Sequence, residues 1–255
     1  MTMASTHIVD HLLVKTYDSR LLMGASAAQD VAGKINELLS VQEFVNIIFA
    51  AAPSQNEFLN HLAAEKSVNW SRVNGFHMDE YVGLHENASQ RFGQFLKEKI
   101  FGKASLNNVY YINGNAEDLD AECKRYQNLL TRFPPDIVCM GIGENTHIAF
   151  NDPHTADFED PLLVKVVTLD EASRQQQVND ECFTHLEEVP TSAITLTVPA
   201  LTRAGFIFCI VPGKNKALAV TRTINSEVTE TYPATILRTH YHAILYLDKE
   251  SAAGL

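Results

Sequence analysis

The chain has 255 residues, of which 45% are hydrophobic and 20% charged, and its net charge is −11 at neutral pH. Such a chain buries a sizeable core, and we expect one α/β domain over residues 1–255. The acidic balance argues against nucleic acid or an anionic membrane as a partner. No apolar run reaches the ~18 residues that a membrane span needs. A histidine and an aspartate precede the first apolar run, so no signal peptide is predicted.

The first part of the chain alternates between predicted strands and helices. An apolar-rich strand over 8–17 precedes a helix over 20–39, which is rich in alanine and leucine. The continuous apolar run in 43–52 is typical of a parallel strand that is buried on both faces. Ser54 and Glu57 then match a helix capping box.

The same alternation continues to the end of the chain. Further helices are predicted over 89–101, 116–130, 171–183 and 214–223, and further strands over 72–78, 109–112, 136–140, 163–168, 192–198, 206–211 and 242–247. This order indicates βαβ units and a mostly parallel sheet. Cys139 and Cys209 lie in apolar runs, so we expect buried thiols and a reduced, cytoplasmic protein.

The densest polar chemistry lies in the segment GIGENTHIAFNDP, which follows the predicted strand over 136–140. Ligands of α/β proteins bind where strands end, so this loop is a candidate site. Either Asn145 or Asp152 could hold the imidazole of His147 in one tautomer, as an acid/base histidine requires. A structural histidine is the alternative. The loop has neither HxH nor HExxH spacing for a metal, and it lacks the third glycine of a dinucleotide fingerprint.

Two other motifs also follow predicted strands. Asp79 and Glu80 point to opposite sides of an extended backbone, so only one of them is expected to face a site as a general base. The alternative for this pair is a helix or loop cap. Gly213 and Lys216 lie at a strand-to-helix junction, where an ammonium and helical N–H groups bind anions. The alternative there is a solvated lysine.

Together these segments resemble the glucosamine-6-phosphate deaminase/isomerase family. HMDEYVGL, INGNAEDLDAEC, GIGENTHIAFNDP, VPTSAITLTVPAL and PGKNKAL occur in the family's order. The related 6-phosphogluconolactonases typically show a DER-type and a HTASLFP-type motif at two of these places. The resemblance implies a three-layer, Rossmann-like fold and a cofactor-free conversion of glucosamine 6-phosphate and water to fructose 6-phosphate and ammonia. The alternatives are an isomerase or lactonase-type hydrolase acting on another sugar or sugar phosphate, and a catalytically silent sugar-phosphate-binding protein.

The resemblance also implies roles for four catalytic residues. Asp79 matches the base that takes the C2 proton, and His147 matches the histidine that assists ring opening. Asn145 and Asp152 occupy the places of its two acidic partners. The family usually has Asp-Gly-His where this chain has Asn-Thr-His, and an amide stabilises a charged imidazole less than a carboxylate does. Asp152 replaces a glutamate, so it must approach the histidine more closely.

Substrate contacts are expected from four further residues. Lys216 matches a phosphate-binding lysine, Ser54 is expected to donate one hydrogen bond, and Arg174 is the nearest candidate for a phosphate-binding arginine. Glu80 completes the predicted set. The turn over 50–55 lacks the glycines of the family's TGGTP-like phosphate loop, whose backbone N–H groups reach the anion. The expected partner is a small sugar phosphate, and composition does not decide between a monomer and a homo-oligomer.

Overall fold

The computed structural model describes residues 3–255, which form strands and helices in alternation. The strands are β1 Met3–Val9, β2 Leu12–Tyr17, β3 Val45–Phe49, β4 Val73–His77, β5 Asp79–Tyr81, β6 Asn108–Tyr110, β7 Ile137–Met140, β8 Val164–Thr168, β9 Ser192–Leu196, β10 Phe206–Val211 and β11 Ala243–Asp248. The α-helices are α1 Arg20–Leu39, α2 Asn56–Ala63, α3 Phe92–Leu96, α4 Leu119–Arg132, α5 Glu171–Asn179, α6 Val198–Thr202 and α7 Ala217–Asn225.

Eight of these strands form the main sheet, in the order β1-β2-β11-β10-β7-β3-β4-β6. The pairing of β1 with β2 is antiparallel, and the other pairings in this sheet are parallel. A second, antiparallel sheet has the order β5-β9-β8. The predicted α/β fold with a mostly parallel central sheet is therefore confirmed.

Helices cover both faces of the main sheet, so its central strands are apolar on both sides. The core on one face takes side chains from α1, α2 and α3, and the other takes them from α4, α6 and α7. In β7, Ile137 and Cys139 enter the first core, whereas Val138 and Met140 enter the second. This arrangement explains the uninterrupted apolar runs, and it makes the fold three-layered.

The strand order reverses between β3 and β7, which are neighbours in the sheet. The chain continues from β3 toward β4 on one side, and the strand after β7 in the main sheet, β10, lies on the other side. In open parallel sheets the connections diverge at such a switch point and leave a crevice at the carboxyl ends of the strands. The loops over 50–55 and 141–150 therefore meet at one place.

The structure corrects two predicted strands. The single strand expected over 8–17 is a hairpin whose turn includes Asp10, with a φ of 53° that aspartate tolerates better than most residues. The strand expected over 72–78 ends at His77, and Asp79 starts β5 in the second sheet. Period-2 patterning detects an extended segment but not which sheet it joins.

Two predicted helices also differ. The helix expected over 89–101 is the short α3 followed by a π-helix over Lys97–Phe101. The capping box expected from Ser54 and Glu57 is wrong, because Ser54 lies inside a short 3-10 turn without a side-chain cap. Glu57 pairs instead with Arg20 at 2.7 Å, so it does not compete for an anion at the loop.

The cysteines agree with the sequence prediction. Cys139 and Cys209 are buried, and all four cysteines are free thiols. Within residues 3–255, no helix combines the length and the apolar character needed to cross a membrane.

Candidate active site

A cavity opens at the switch point, between the loops that follow β3 and β7. We call it the switch-point cavity. Four predicted site residues line it, namely Ser54, Asp79, His147 and Lys216. It is lined also by Ala50, Ala51, Ala52, Gln55, Met78, Phe92, Gly141, Ile142, Gly143, Ala149, Phe150, Gln176 and Gln177. Residues that are far apart in the sequence thus meet where the fold places ligands.

Asp79 contributes an unpaired carboxylate to this cavity. The residue is 7% exposed, and its carboxylate makes no hydrogen bond or ion pair within the described chain. Burial, followed by the nearby Glu80 charge, raises the pKa of Asp79 well above its ordinary value. A carboxylate in such a setting binds a proton more readily than one in water, which suits a general base.

His77 fixes the backbone from which Asp79 projects. The main-chain N–H of Ile112 donates to His77 Nε2 at 2.9 Å, so the ring proton lies on Nδ1, which donates to the Asp79 carbonyl at 2.8 Å. Burial lowers the pKa of His77 to about 4, so the imidazole is neutral near pH 7. The neutral His77 side chain therefore fixes the backbone between β4 and the start of β5 through two hydrogen bonds.

Glu80 lies outside the switch-point cavity. Its carboxylate accepts hydrogen bonds at 3.0 Å from the main-chain N–H groups of Tyr81, Phe92 and Gly93, and Arg91 lies 3.8 Å away. Because adjacent side chains on β5 point to opposite sides, only Asp79 faces the cavity. Glu80 thus anchors the start of α3, and the structure does not place it as a substrate contact.

Two oxygen atoms hold the imidazole of His147. Asp152 Oδ1 lies 3.1 Å from His147 Nδ1, and Ser173 Oγ lies 2.8 Å from the same nitrogen. Burial alone would raise the pKa of Asp152, but hydrogen bonds from His147, Asn145 and Ser173 hold it well below its usual range. The carboxylate is therefore ionised beside the ring, and its shorter side chain reaches the histidine.

Asn145 acts on this group without contacting the ring. Its Nδ2 donates to Asp152 Oδ1 at 3.0 Å, and its Oδ1 accepts from the main-chain N–H of His147 at 3.1 Å. Thr146 between them has a φ of 76°, in the left-handed region that favours glycine. This geometry explains why a glycine suits the middle position of the Asp-Gly-His motif that is usual in the family the sequence resembles. The loop is thus held in an unusual conformation that fixes the histidine's backbone.

The imidazole packs directly on the backbone of Gly143. A Cβ added at Gly143 would lie 2.2 Å from His147 Cε1, so any larger residue must displace the ring. We expect Gly143→Ala to lower kcat/KM by about 100-fold, because a displacement near 1 Å removes a reacting group from alignment. Steady-state turnover of the substrate proposed below checks this.

Gly33 offers a matched control for that substitution. It lies in α1, where an added Cβ meets no atom within 4 Å. We expect Gly33→Ala to leave kcat/KM unchanged and to stabilise the protein by about 0.5–1 kcal/mol, since alanine is the better helix former. Equal activities of the two variants would show that the imidazole position does not matter.

Lys216 brings one cation into the switch-point cavity. The residue is 5% exposed, and its side-chain ammonium makes no ion pair or hydrogen bond within residues 3–255. Burial lowers its pKa, while Asp180 and Glu144 act in the opposite direction. Among the described residues that line the cavity, Lys216 is the only lysine or arginine. An anion bound here would thus have one charged protein partner.

The loop after β3 supplies polar groups beside this cation. Ser54 Oγ accepts from Gln55 Nε2 at 3.1 Å, which leaves its own hydrogen available to a ligand. Gln55 Nε2 also donates to the Ile210 carbonyl at 3.0 Å, and its buried Oε1 has no partner in the described part of the chain. Sequence reasoning missed Gln55, because nothing in a lone glutamine beside Ser54 signals that it reaches β10.

Arg174 does not line the switch-point cavity. Its guanidinium donates to the carbonyls of Leu186 at 2.6 Å and Val189 at 3.0 Å, so it ties α5 to the following loop. Other residues of α5 turn toward the site instead. Gln176 Oε1 accepts from the main-chain N–H of Glu144 at 2.8 Å, and Ser173 reaches His147. Sequence reasoning missed Ser173 and Gln176, because no local pattern shows which side of this short helix faces the site.

No group of three or more His, Cys, Asp or Glu side chains in the described part of the chain could hold a metal ion. The groups that converge here are an unpaired carboxylate, a clamped imidazole and a buried ammonium. They can move protons at neighbouring atoms of a small anionic substrate. The fold and the site together define a Rossmann-like α/β enzyme that acts on small molecules.

Comparisons with known proteins specify the family. Residues 18–245 match the family model of glucosamine-6-phosphate isomerases/6-phosphogluconolactonase. The glucosamine-6-phosphate deaminase of Listeria monocytogenes serotype 4a (strain HCC23) is 35% identical over 211 residues, which cover 83% of this chain and 88% of that protein. The same-named protein of Bacillus cereus (strain B4264) is 34% identical over 217 residues, 85% of this chain and 80% of that protein. The chain belongs to the glucosamine-6-phosphate isomerase/6-phosphogluconolactonase family.

Solved structures agree with this membership. A monomeric glucosamine-6-phosphate deaminase of the NagB superfamily superposes with a TM-score of 0.86 at 26% identity, covering 95% of this chain and 99% of that chain. The 6-phosphogluconolactonase from Thermotoga maritima gives a TM-score of 0.76 at 18% identity, covering 93% and 100% respectively. At that identity the second comparison shows the fold alone.

Proposed function

We propose that this protein converts glucosamine 6-phosphate and water to fructose 6-phosphate and ammonia. The observation that carries the proposal is the unpaired Asp79 carboxylate in one cavity with the clamped His147 and the buried Lys216. The two relatives described above, which match most of the chain, are named glucosamine-6-phosphate deaminases, and this supports the same substrate. Acid/base groups suffice for this chemistry, so the proposal includes no cofactor.

In the proposed reaction, His147 opens the sugar ring. Its Nε2 takes the proton of the anomeric hydroxyl and returns a proton to the ring oxygen, which leaves an open-chain aldehyde. Asp79 then removes the C2 proton while O1 gains a proton, which gives an enolamine. Asp79 delivers its proton to C1 as the amino nitrogen gives up one proton, which replaces the proton taken up by O1, so the aldose becomes a ketose imine. Water adds at C2 and the amine leaves as ammonia. Each proton removed is returned, and Asp79 and His147 end in their starting states.

The phosphate is proposed to bind Lys216 and the Ser54 hydroxyl. Both groups line the switch-point cavity, at the ends of β10 and β3 respectively. The buried ammonium of Lys216 thereby gains a partner that residues 3–255 do not provide. A charged hydrogen bond in such a place is shorter and stronger than one between neutral groups.

A second candidate is the same proton transfer on another sugar or sugar phosphate. One lysine balances a phosphate dianion only in part, and the buried Gln55 Oε1 offers an acceptor rather than a donor. An acceptor favours a hydroxyl or ammonium over a phosphate oxygen. Thermal-shift measurements across sugars with and without phosphate separate the two candidates. The largest shift with glucosamine 6-phosphate would support the first.

Ammonia release tests the proposed function directly. Purified protein is incubated with glucosamine 6-phosphate, and ammonia and fructose 6-phosphate are measured by separate coupled assays. We expect equal amounts of both products. Binding of the substrate without either product would favour a silent sugar-phosphate-binding protein.

The pH dependence of kcat/KM is expected to report the raised pKa of Asp79. The base must be ionised, so activity falls as the pH drops through that pKa. We expect the acidic limb to lie above pH ~4, where an ordinary carboxyl group titrates. At pH values below the pKa of Asp79, kcat/KM should decrease about tenfold for each pH unit. A flat profile down to pH ~4 would contradict the assignment of Asp79 as the base.

We also propose that residues 1–255 form one domain and that the protein works in the cytoplasm. The four free thiols support a reducing location. The acidic composition supports a small-molecule partner rather than nucleic acid. Sedimentation of the purified protein would distinguish a monomer from a homo-oligomer.

A further inference from the structure

The Nδ1 edge of His147 belongs to a closed triangle of three polar atoms. Ser173 Oγ and Asp152 Oδ1 lie 2.8 and 3.1 Å from Nδ1. The serine hydroxyl also donates a hydrogen bond to Asp152 Oδ1. Ser173 is 1% exposed and Asp152 is fully buried, so water does not compete for these contacts. Ser173 comes from α5, whereas the other two residues follow β7.

The number of hydrogen atoms available in this triangle determines which nitrogen of the His147 ring carries a proton. An ionised carboxylate only accepts hydrogen bonds, so the single hydroxyl hydrogen of Ser173 goes to Asp152. The lone pairs of Ser173 Oγ then face His147 Nδ1, which must carry a proton to make the 2.8 Å contact. In the neutral ring, the other nitrogen, Nε2, therefore keeps its lone pair. The ring is thus prepared to accept a proton through Nε2.

Ser173 has no substitute in this arrangement. Asn145 contacts Asp152 and the main chain of His147, and it makes no hydrogen bond to the imidazole. Without the serine hydroxyl, the polar contact of Nδ1 that remains among residues 3–255 is the one with Asp152, at 3.1 Å. A ring held by one acceptor can tilt or exchange tautomers more readily than one held by two.

We propose that Ser173 is a positioning residue that fixes His147 in the Nδ1–H tautomer, with Nε2 as the base for ring opening. This inference rests on the proposed function for its catalytic consequence, but the tautomer itself is a property of the unliganded protein. When Nε2 takes the anomeric proton, the imidazolium keeps Nδ1–H on Ser173 and Asp152. When Nε2 passes a proton to the ring oxygen, the starting hydrogen bonds are restored.

The tautomer is measured by ¹⁵N NMR of protein labelled in its histidines, without substrate. The signals of His147 are assigned by their loss in His147→Gln. We expect a protonated Nδ1 and an unprotonated Nε2 in the wild-type protein, and a mixture of tautomers in Ser173→Ala. A wild-type ring protonated on Nε2 alone would overturn the proposal. Because this readout needs no turnover, it remains valid if the substrate is a different sugar.

Kinetics of substituted proteins provide the second test. We expect Ser173→Ala to lower kcat for ammonia release about tenfold, the scale of one buried hydrogen bond, with KM changed less than about twofold. Ser173→Thr keeps the hydroxyl and is expected to retain more activity than Ser173→Ala. Ser71→Ala, whose hydroxyl donates to Asn69 away from the cavity, is the control that leaves kcat unchanged. Wild-type kcat in Ser173→Ala, or less activity in the threonine variant than in the alanine variant, would overturn the proposal.

Discussion

Replacing Asp79 with asparagine is expected to lower kcat for ammonia release by about 10²–10⁴-fold, the range that a general base contributes. The amide has nearly the same shape as the carboxyl group but cannot accept the C2 proton. Asp79 is suited to this role because its carboxylate has no partner in the described chain and lies in the cavity. Single-turnover and steady-state assays with glucosamine 6-phosphate measure the loss.

The same substitution is expected to stabilise the folded protein at pH 8. The pKa of Asp79 is raised by burial, so the folded state binds its proton more tightly than the unfolded state does. The stability that this proton provides is present at low pH and is lost as the pH rises through the folded pKa. Asparagine removes the buried charge, so we expect a higher thermal unfolding midpoint. Asp120→Asn, at an exposed position of α4, is the control that leaves kcat unchanged.

An inactive Asp79→Asn protein with a lower unfolding midpoint would point to misfolding rather than to a lost base. Substantial activity in the variant would contradict the proposed role of Asp79. Measurements of kcat and of unfolding on the same preparation therefore separate catalysis from stability.

Replacing Lys216 with methionine is expected to raise KM for glucosamine 6-phosphate by about 10–100-fold. The estimate follows from the ~1.5–3 kcal/mol of a hydrogen bond to a charged group, at about 1.4 kcal/mol per tenfold change. Lys216 is the only lysine or arginine among the described residues that line the cavity, so no second such side chain can replace its contact with the phosphate. Methionine keeps the apolar stem in its buried position.

Two comparisons sharpen the test of Lys216. Lys214 lies in the same short 3-10 turn but is exposed, and Lys214→Met is expected to leave KM unchanged. Glucosamine lacks the phosphate, so the residual activity of the enzyme toward it should be the same with and without Lys216. An equal loss for both sugars would contradict the assignment of Lys216 to the phosphate. It would indicate instead that the lysine supports the fold or the chemistry.

The parallel sheet, and the convergence of the loops at its carboxyl edge, could be predicted from the sequence for a physical reason. Apolar runs such as that of β7 show strands buried on both faces, and such strands are parallel. The carboxyl ends of parallel strands share one edge of the sheet, so the motifs of Asp79, His147 and Lys216 had to converge there. The resemblance to a known family supplied the chemical roles, which spacing alone left open.

Contacts between distant parts of the chain were not predictable in this way. Ser173 lies 26 residues from His147 and reaches it only because α5 packs over the loop after β7. Gln55 enters the cavity because its amide bonds to β10, 155 residues away. Arg174 was expected at the phosphate, but its side chain turns to the carbonyls of the next loop. Local patterns do not specify which side of a short helix faces a site.

The central claim is that Asp79 takes the C2 proton of glucosamine 6-phosphate on the way to ammonia. It is tested most directly by ¹H NMR of the substrate in D₂O during incubation with the wild-type protein and with Asp79→Asn. We predict that the C2 proton signal disappears with the wild-type protein as fructose 6-phosphate and ammonia form. With Asp79→Asn the signal should persist although the substrate binds. A persistent C2 proton in the presence of bound wild-type protein, or its loss at the same rate in both proteins, would contradict the account.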